Sequence, residues 1–152
     1  MMAPGMRAVC QRVSQARVTV AGDVVGEFEQ GLVVLLGIAR DDTGEVALRA
    51  AQKVCRLRIF EDDAGKFEGS VLDVGGAALV VSQFTLIANT RRQAGARPDF
   101  SRAATKADAE PIYRTFCEAL RETGIPVQTG VFGARMALEL VNDGPVTIVL
   151  DI

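Results

Sequence analysis

The chain has 152 residues, a formal net charge of −2 and no histidine, which excludes a Ser-His-Asp triad, a Cys-His dyad and any histidine-ligated metal and argues against nonspecific coating of nucleic acid. Although 49% of the residues are hydrophobic, no uncharged apolar run approaches the ~20 residues that cross a bilayer and no basic region precedes an apolar core at the start; a cytoplasmic protein is expected, with neither membrane nor DNA as partner. The length suits one domain that buries roughly two-thirds of its unfolded surface, and no low-complexity linker divides it.

Arg7 to Ser14 and Arg17 to Ala21 alternate or cluster β-branched residues, Gly22-Asp23 marks a turn before Val24-Val25, and Gly31 to Ile38 is a continuous apolar run of the kind buried on both faces. A hairpin and a core strand follow from these. Asp42 and Glu45 resemble an acidic capping box, and Val46, Ala50, Val54 and Leu57 recur at helical spacing, so a helix is predicted from about Thr43 to Arg56. Leu57 to Phe60 and Phe67 flank a turn at Asp62-Asp63-Ala64-Gly65, and Ala77 to Leu86 is the second long apolar strand. After a loop from Asn89 to Ser101 comes a second helix with Ile112, Phe116 and Leu120 on its apolar face; Pro111 sits in its first turn or else kinks it, and Gly124 with Pro126 ends it. Val127 to Val131, Ala134 to Val141 and Val146 to Ile152 read as three closing strands. About eight strands, clustered at both ends, and two helices predict an α+β single domain in which the helices pack against a curved or barrel-like β-sheet.

Ser82 and Thr85 are hydroxyls near the end of an apolar strand, readable as nucleophiles or as strand residues bonded to backbone; Ser82 lacks a G-x-S-x-G elbow and neither has a histidine to activate it. Asp62-Asp63 resembles half a cation site but lacks further spaced oxygens, so a solvated turn is the simpler reading. Cys10, Cys55 and Cys117 are odd in number, widely spaced and set in apolar patterns, which favours buried free thiols. Tyr113 and the phenylalanines read as core. Neither a metal nor a cofactor is expected. Between Arg91 and Lys106, five bases (Arg91, Arg92, Arg97, Arg102 and Lys106) face one acid, Asp99, either a solvated surface or a set of contacts to the phosphates of a structured RNA end. Gly144-Pro145 between two strand-like runs is unexpected, because proline cannot donate to a ladder and glycine weakens one, so the pair serves turn geometry or the close approach of a ligand.

Five segments carry a resemblance: Gln11-Arg12-Val13, Gly31 to Gly37, Val81-Ser82-Gln83-Phe84-Thr85-Leu86, Arg97-Pro98-Asp99-Phe100-Ser101, and Val141-Asn142-Asp143-Gly144-Pro145-Val146-Thr147. They stand in the order found in the D-aminoacyl-tRNA deacylases, and the likeness runs from Met6 to Ile152. This resemblance implies a homodimeric hydrolase that cleaves the ester joining a D-amino acid, or glycine, to the 3′ terminal adenosine of tRNA. It implies that Gly144-Pro145 is a cis pair reaching into the partner subunit's pocket as a chiral filter, that Ser82, Gln83, Phe84 and Thr85 line the ester and adenosine site mainly through backbone, that Phe132 and Met136 line the pocket, and that Arg12 steadies the Gly-Pro segment. Arg91, Arg92, Arg97, Arg102 and Lys106 are then tRNA contacts.

An aminoacyl ester is already activated, so positioning and backbone donors for the developing oxyanion suffice, and the resemblance implies that the ribose 2′-hydroxyl assists the attacking water. If carbonyls around Gly144-Pro145 hold the α-ammonium, an L side chain collides with the motif while a D side chain points outward, a filter that rejects rather than prefers. Ser-Gln-Phe-Thr, rather than the Pro-Gln variant of related animal deacylases, points to the D-selective branch. The stretch from Thr90 to Arg97 is longer than the family usually has, and residues 1–5 form an extension ahead of the domain (6–152), with Met6 as the alternative initiator. Two other classes stay open: a covalent hydrolase using Ser82 or Thr85, and a noncatalytic module that binds the tRNA end.

Overall fold

The computed structural model describes residues 5–89 and 97–152. One long strand, β1 (Arg7–Val20), organises the sheet. Along one edge it pairs antiparallel with β3 (Gly31–Gly37) and then with β2 (Asp23–Phe28); along the other it pairs with β8 (Ala137–Asp151) over nearly its whole length. Beyond β3 the ladder continues in parallel through β6 (Ala77–Ser82) and β7 (Val127–Thr129). The amide side chain of Gln128 on β7 bonds both backbone groups of Glu27 on β2, so the sheet nearly closes into a barrel. A separate hairpin, β4 (Phe60–Glu61) and β5 (Phe67–Gly69), stands off it.

The predicted break between Ser14 and Arg17 is absent. A bulge at Ser14 shifts the β1–β8 register, and because side chains alternate with period two, a one-residue slip exchanges faces. Ala8 and Cys10 pack with Leu32, Leu36, Val80 and the helices, whereas beyond the bulge Ala16 and Val18, also even-numbered, join Val13 against Val33, Leu79 and Val81 on the other face. β3 is buried on both faces as its unbroken apolar run predicts. The two strands expected at 134–141 and 146–152 are likewise one, β8, which resumes pairing at Gln11↔Thr147 after Asp143–Val146 leave the ladder opposite Arg12.

Both helices, α1 (Gly44–Cys55) and α2 (Lys106–Glu122), lie on one face and contact each other. The acidic box expected at Asp42 is replaced by Thr43, whose hydroxyl accepts from Val46 N at 3.4 Å. Asp42 instead holds the preceding turn, accepting from Ala39 N at 2.7 Å and from Met6 N at 3.3 Å, and burial raises its carboxyl pKa. Thr105 caps α2. Pro111 falls beyond the first turn, and the buried stripe of α2 is Ala109, Tyr113, Phe116, Cys117 and Leu120, with Ile112 at its margin. Of the expected N-terminal extension, residues 1–4 lie outside the described residues, and Met6 is fully buried. Among the described residues no helix is long and apolar enough to cross a membrane.

Candidate active site

The parallel strands β3, β6 and β7 end side by side, and the segments that follow them carry most of the singled-out residues. The expected strand 77–86 stops at Ser82. Gln83 N still donates to Leu36 O at 2.8 Å, but Phe84–Ile87 then wind into a 3-10 turn closed by Leu86 N to Gln83 O at 3.2 Å. The amides of Phe84 and Thr85 precede that first bond, so they are donors the turn itself does not use. Gly37 makes this geometry possible: a Cβ there would stand 2.8 Å from Leu86 Cβ and 3.1 Å from Ile87 Cδ1, so only a glycine lets the turn settle on the end of β3. Gly37 closes one of the segments that carry the resemblance, but its contact with the turn has no local sign in sequence.

Thr85 and Phe84 are exposed, the latter by 57%, which corrects the reading of every phenylalanine as core. Its ring meets Phe100 edge-on at 5.2 Å. Phe100 follows Asp99, whose backbone pairs with Asn89 in both directions at 2.7 and 2.8 Å, so the Arg97–Ser101 motif is tied to the segment leaving the 3-10 turn. Arg97 is exposed, Arg102 is half-buried close to Asp42, and Lys106 packs its ammonium end over Gly133. Arg91 and Arg92, with the rest of the longer loop at 90–96, lie outside the described residues.

Phe132 and Met136 follow β7 but turn to different clusters. Phe132 packs on Tyr113 at 5.4 Å between ring centroids, and Tyr113 Oη donates to Val80 O at 2.7 Å. Met136 joins Val18, Val33 and Leu79 across the sheet. A cleft of about 490 Å³ contains Phe132 with Tyr113, Cys117 and Thr129, and another of about 530 Å³ contains Met136 with Thr19 and Val20; neither includes residues 82–85 or 144–145.

The Gly144-Pro145 peptide is cis, and Gly144 has φ 122°, a region that favours glycine. Arg12, only 5% exposed, underlies this segment: its Nε donates to Asp143 O at 3.1 Å, its Nη1 to Ile59 O at 2.7 Å and its Nη2 to Glu61 Oε1 at 3.2 Å. The two motifs do not meet within one chain. Ser82 is level with Leu36 and hence Ala8, whereas Gly144 stands opposite Arg12. Three strand spacings of about 4.8 Å and four residues of about 3.3 Å rise separate them by on the order of 20 Å along the sheet.

Burial disfavours the thiolate of each cysteine, pushing Cys10 up to about 12 and Cys117 up to about 11 and raising Cys55. Cys55 is only half-buried, which departs from the expectation for all three. Among the described residues no group of three or more acids or cysteines is placed to hold a metal ion.

The family model described as D-Tyr-tRNA(Tyr) deacylase matches residues 9–151. A D-aminoacyl-tRNA deacylase from Chloroflexus aurantiacus is 58% identical over 146 residues, covering 96% of this chain and 90% of the relative; one from Thermus aquaticus is 54% identical, covering 96% and 95%. A solved structure titled c-Myc DNA Unwinding Element Binding Protein superposes with TM-score 0.88 at 42% identity, covering 96% of this chain and 98% of that one. A structure described as a probable eukaryotic D-amino acid tRNA deacylase shares the fold, with TM-score 0.81 at 21% identity, covering 97% and 99%. Matched over nearly its whole length, the chain belongs to the D-aminoacyl-tRNA deacylases, hydrolases that act on aminoacyl-tRNA.

Proposed function

We propose that the chain proofreads chirality in the cytoplasm as a homodimer: residues 6–152 form one deacylase domain that hydrolyses D-aminoacyl-tRNA, and glycyl-tRNA, at a site shared between two copies. Ser82, Gln83, Phe84 and Thr85 from one copy hold the ester and terminal adenosine, with the amides of Phe84 and Thr85 facing the developing oxyanion. Gly144 and Pro145 from the other copy form the wall that an L side chain strikes. Phe132 and Met136 flank the pocket, Arg12 steadies the wall, and Arg91, Arg92, Arg97, Arg102 and Lys106 contact tRNA phosphates. No side chain acts as base, and the 2′-hydroxyl of the substrate guides the water.

The separation of the two motifs within one chain carries this reading. A second support is the outer edge of β8: among the described residues its pairing is with β1 alone, none of its residues is buried, and Val141 and Val149 are 46% and 55% exposed. So long an unpaired edge is a liability that proteins cover.

Subunit complementation tests it. Gly37→Ala displaces the 82–85 turn and Gly144→Ala displaces the carbonyls that hold the substrate's α-ammonium, so each homodimer is impaired in cleaving D-aminoacyl-tRNA. Mixed and reassembled in equal amounts, half of the dimers are hybrids with one sound site of two, so about a quarter of wild-type activity returns. No recovery, with one variant labelled with 15N so that hybrids are verified by mass, refutes the shared site.

A further inference from the structure

The β4–β5 hairpin has no place in the chemistry above. It is two to three residues per strand, and such a ribbon is barely stable alone. Its turn is nonetheless well made: Asp62 Oδ1 accepts from Ala64 N and Lys66 N at 2.9 Å each, and Asp62 N donates to Lys66 O at 2.8 Å. Ile59 and Phe60 anchor its base in the core. Glu61 and Phe67 are cross-strand partners, and both reach one group. Glu61 accepts from Arg12 Nη2, and the Phe67 ring lies 5.7 Å from the Arg12 guanidinium carbon, within cation–π range.

Arg12 is therefore divided between two elements. Nε holds the Asp143 carbonyl beside Gly144, while Nη1 and Nη2 hold the hairpin. A Cβ on Gly144 would stand 3.0 Å from Nη2, so the guanidinium lies against the wall segment itself. Asp143–Val146 leave the ladder opposite Arg12, and that excursion loses β1 pairing where a rigid wall is required. A long side chain with several free torsions does not hold such a segment unless its own head is fixed.

We propose that the β4–β5 hairpin is a clamp for the chiral wall: Glu61 and Phe67 are positioning residues that fix the Arg12 guanidinium, and through it the Asp143–Gly144–Pro145 segment. The inference rests on the reading of Gly144-Pro145 as the filter. Both residues are half-exposed, so a merely structural role would lower melting temperature without altering which enantiomer is cleaved.

The test compares kcat/KM for D- and L-tyrosyl-tRNA in the full-length protein carrying Glu61→Ala, Glu61→Gln, Phe67→Leu, Arg12→Lys or Gly144→Ala. Glu61→Ala lowers the D-to-L ratio roughly fivefold, the effect of one ordinary hydrogen bond. Glu61→Gln, which keeps the acceptor oxygen, restores most of it. Combining Glu61→Ala with Arg12→Lys adds little beyond Arg12→Lys alone, since both act through one guanidinium. Amide exchange at Gly144 and Val146 quickens in Glu61→Ala while that of β3 is unchanged. If Glu61→Ala and Phe67→Leu leave the ratio and the exchange at wild-type values while Arg12→Lys and Gly144→Ala alter the ratio, the clamp is overturned and the filter stands. If Gly144→Ala also leaves the ratio unchanged, the filter fails and the clamp with it.

Discussion

Gly37→Ala adds one methyl at the seat of the 82–85 turn. The new Cβ would lie 2.8 Å from Leu86 Cβ and 3.1 Å from Ile87 Cδ1, against an optimum of about 3.5–4.0 Å for carbon contacts, so the turn must withdraw by on the order of 1 Å. Overpacking of this kind costs about 1–3 kcal/mol, a fall in melting temperature of roughly 2–4 °C per kcal/mol for a chain of this size. Misplacing the reacting ester by ~1 Å costs up to ~100-fold in rate, so catalysis suffers far more than stability. Single-turnover deacylation of D-tyrosyl-tRNA, run beside thermal melts, reads both quantities. Gly44→Ala is the control: its Cβ meets nothing nearer than Thr115 Cγ2 at 4.0 Å, and with a helical backbone it leaves activity intact and stability unchanged or raised by about 0.4–1 kcal/mol. A Gly37→Ala protein that melts lower but deacylates at the wild-type rate refutes the claim that turn placement governs catalysis.

Thr85→Ala keeps substantial activity, because the chain has no histidine to make its hydroxyl a nucleophile, whereas substrate ending in a 2′-deoxyribose is cleaved far more slowly; a Thr85→Ala rate equal to the uncatalysed one restores the covalent route. Tyr113→Phe strands the Val80 carbonyl that accepts at 2.7 Å inside the core, so calorimetry shows a loss of about 1–2 kcal/mol with deacylation retained below the melt. Burial raises Cys10 and Cys117 from 9.0 to about 12 and about 11. Their unfolded forms ionise first, so stability is full below about pH 9 and falls as pH rises toward 12; urea titrations at pH 8 and 10.5 measure the slope, and a double Cys→Ala variant that keeps all of it assigns the loss elsewhere.

The sequence made some elements readable and hid others for physical reasons. Unbroken apolar runs at 31–38 and 77–86 mark two strands because strands buried on both faces need no alternation, but the second strand stops at Ser82, where an apolar run does not distinguish a strand from a 3-10 turn. β1 and β8 looked divided because Ser14 and Asp143–Pro145 resemble breaks, yet a ladder with a partner more than a hundred residues away carries each chain segment through. Asp42 looked like a cap because its spacing to Glu45 fits, but a tertiary approach by Met6 claims its carboxylate. The site divides the same way. Ser82 to Thr85 and Gly144-Pro145 stand out as motifs, and Gly37 and Phe100 lie in segments that carry the resemblance, but the contacts of Gly37, Phe100 and the Glu61–Phe67 pair join distant segments and no local pattern encodes them.

The most direct measurement sets D-tyrosyl-tRNA against L-tyrosyl-tRNA, each in large excess over enzyme, and follows release of free amino acid. A chiral proofreading deacylase gives many turnovers on the D substrate and leaves hydrolysis of the L substrate near the uncatalysed rate. Equal cleavage of both, or a single stoichiometric event without turnover, contradicts that role.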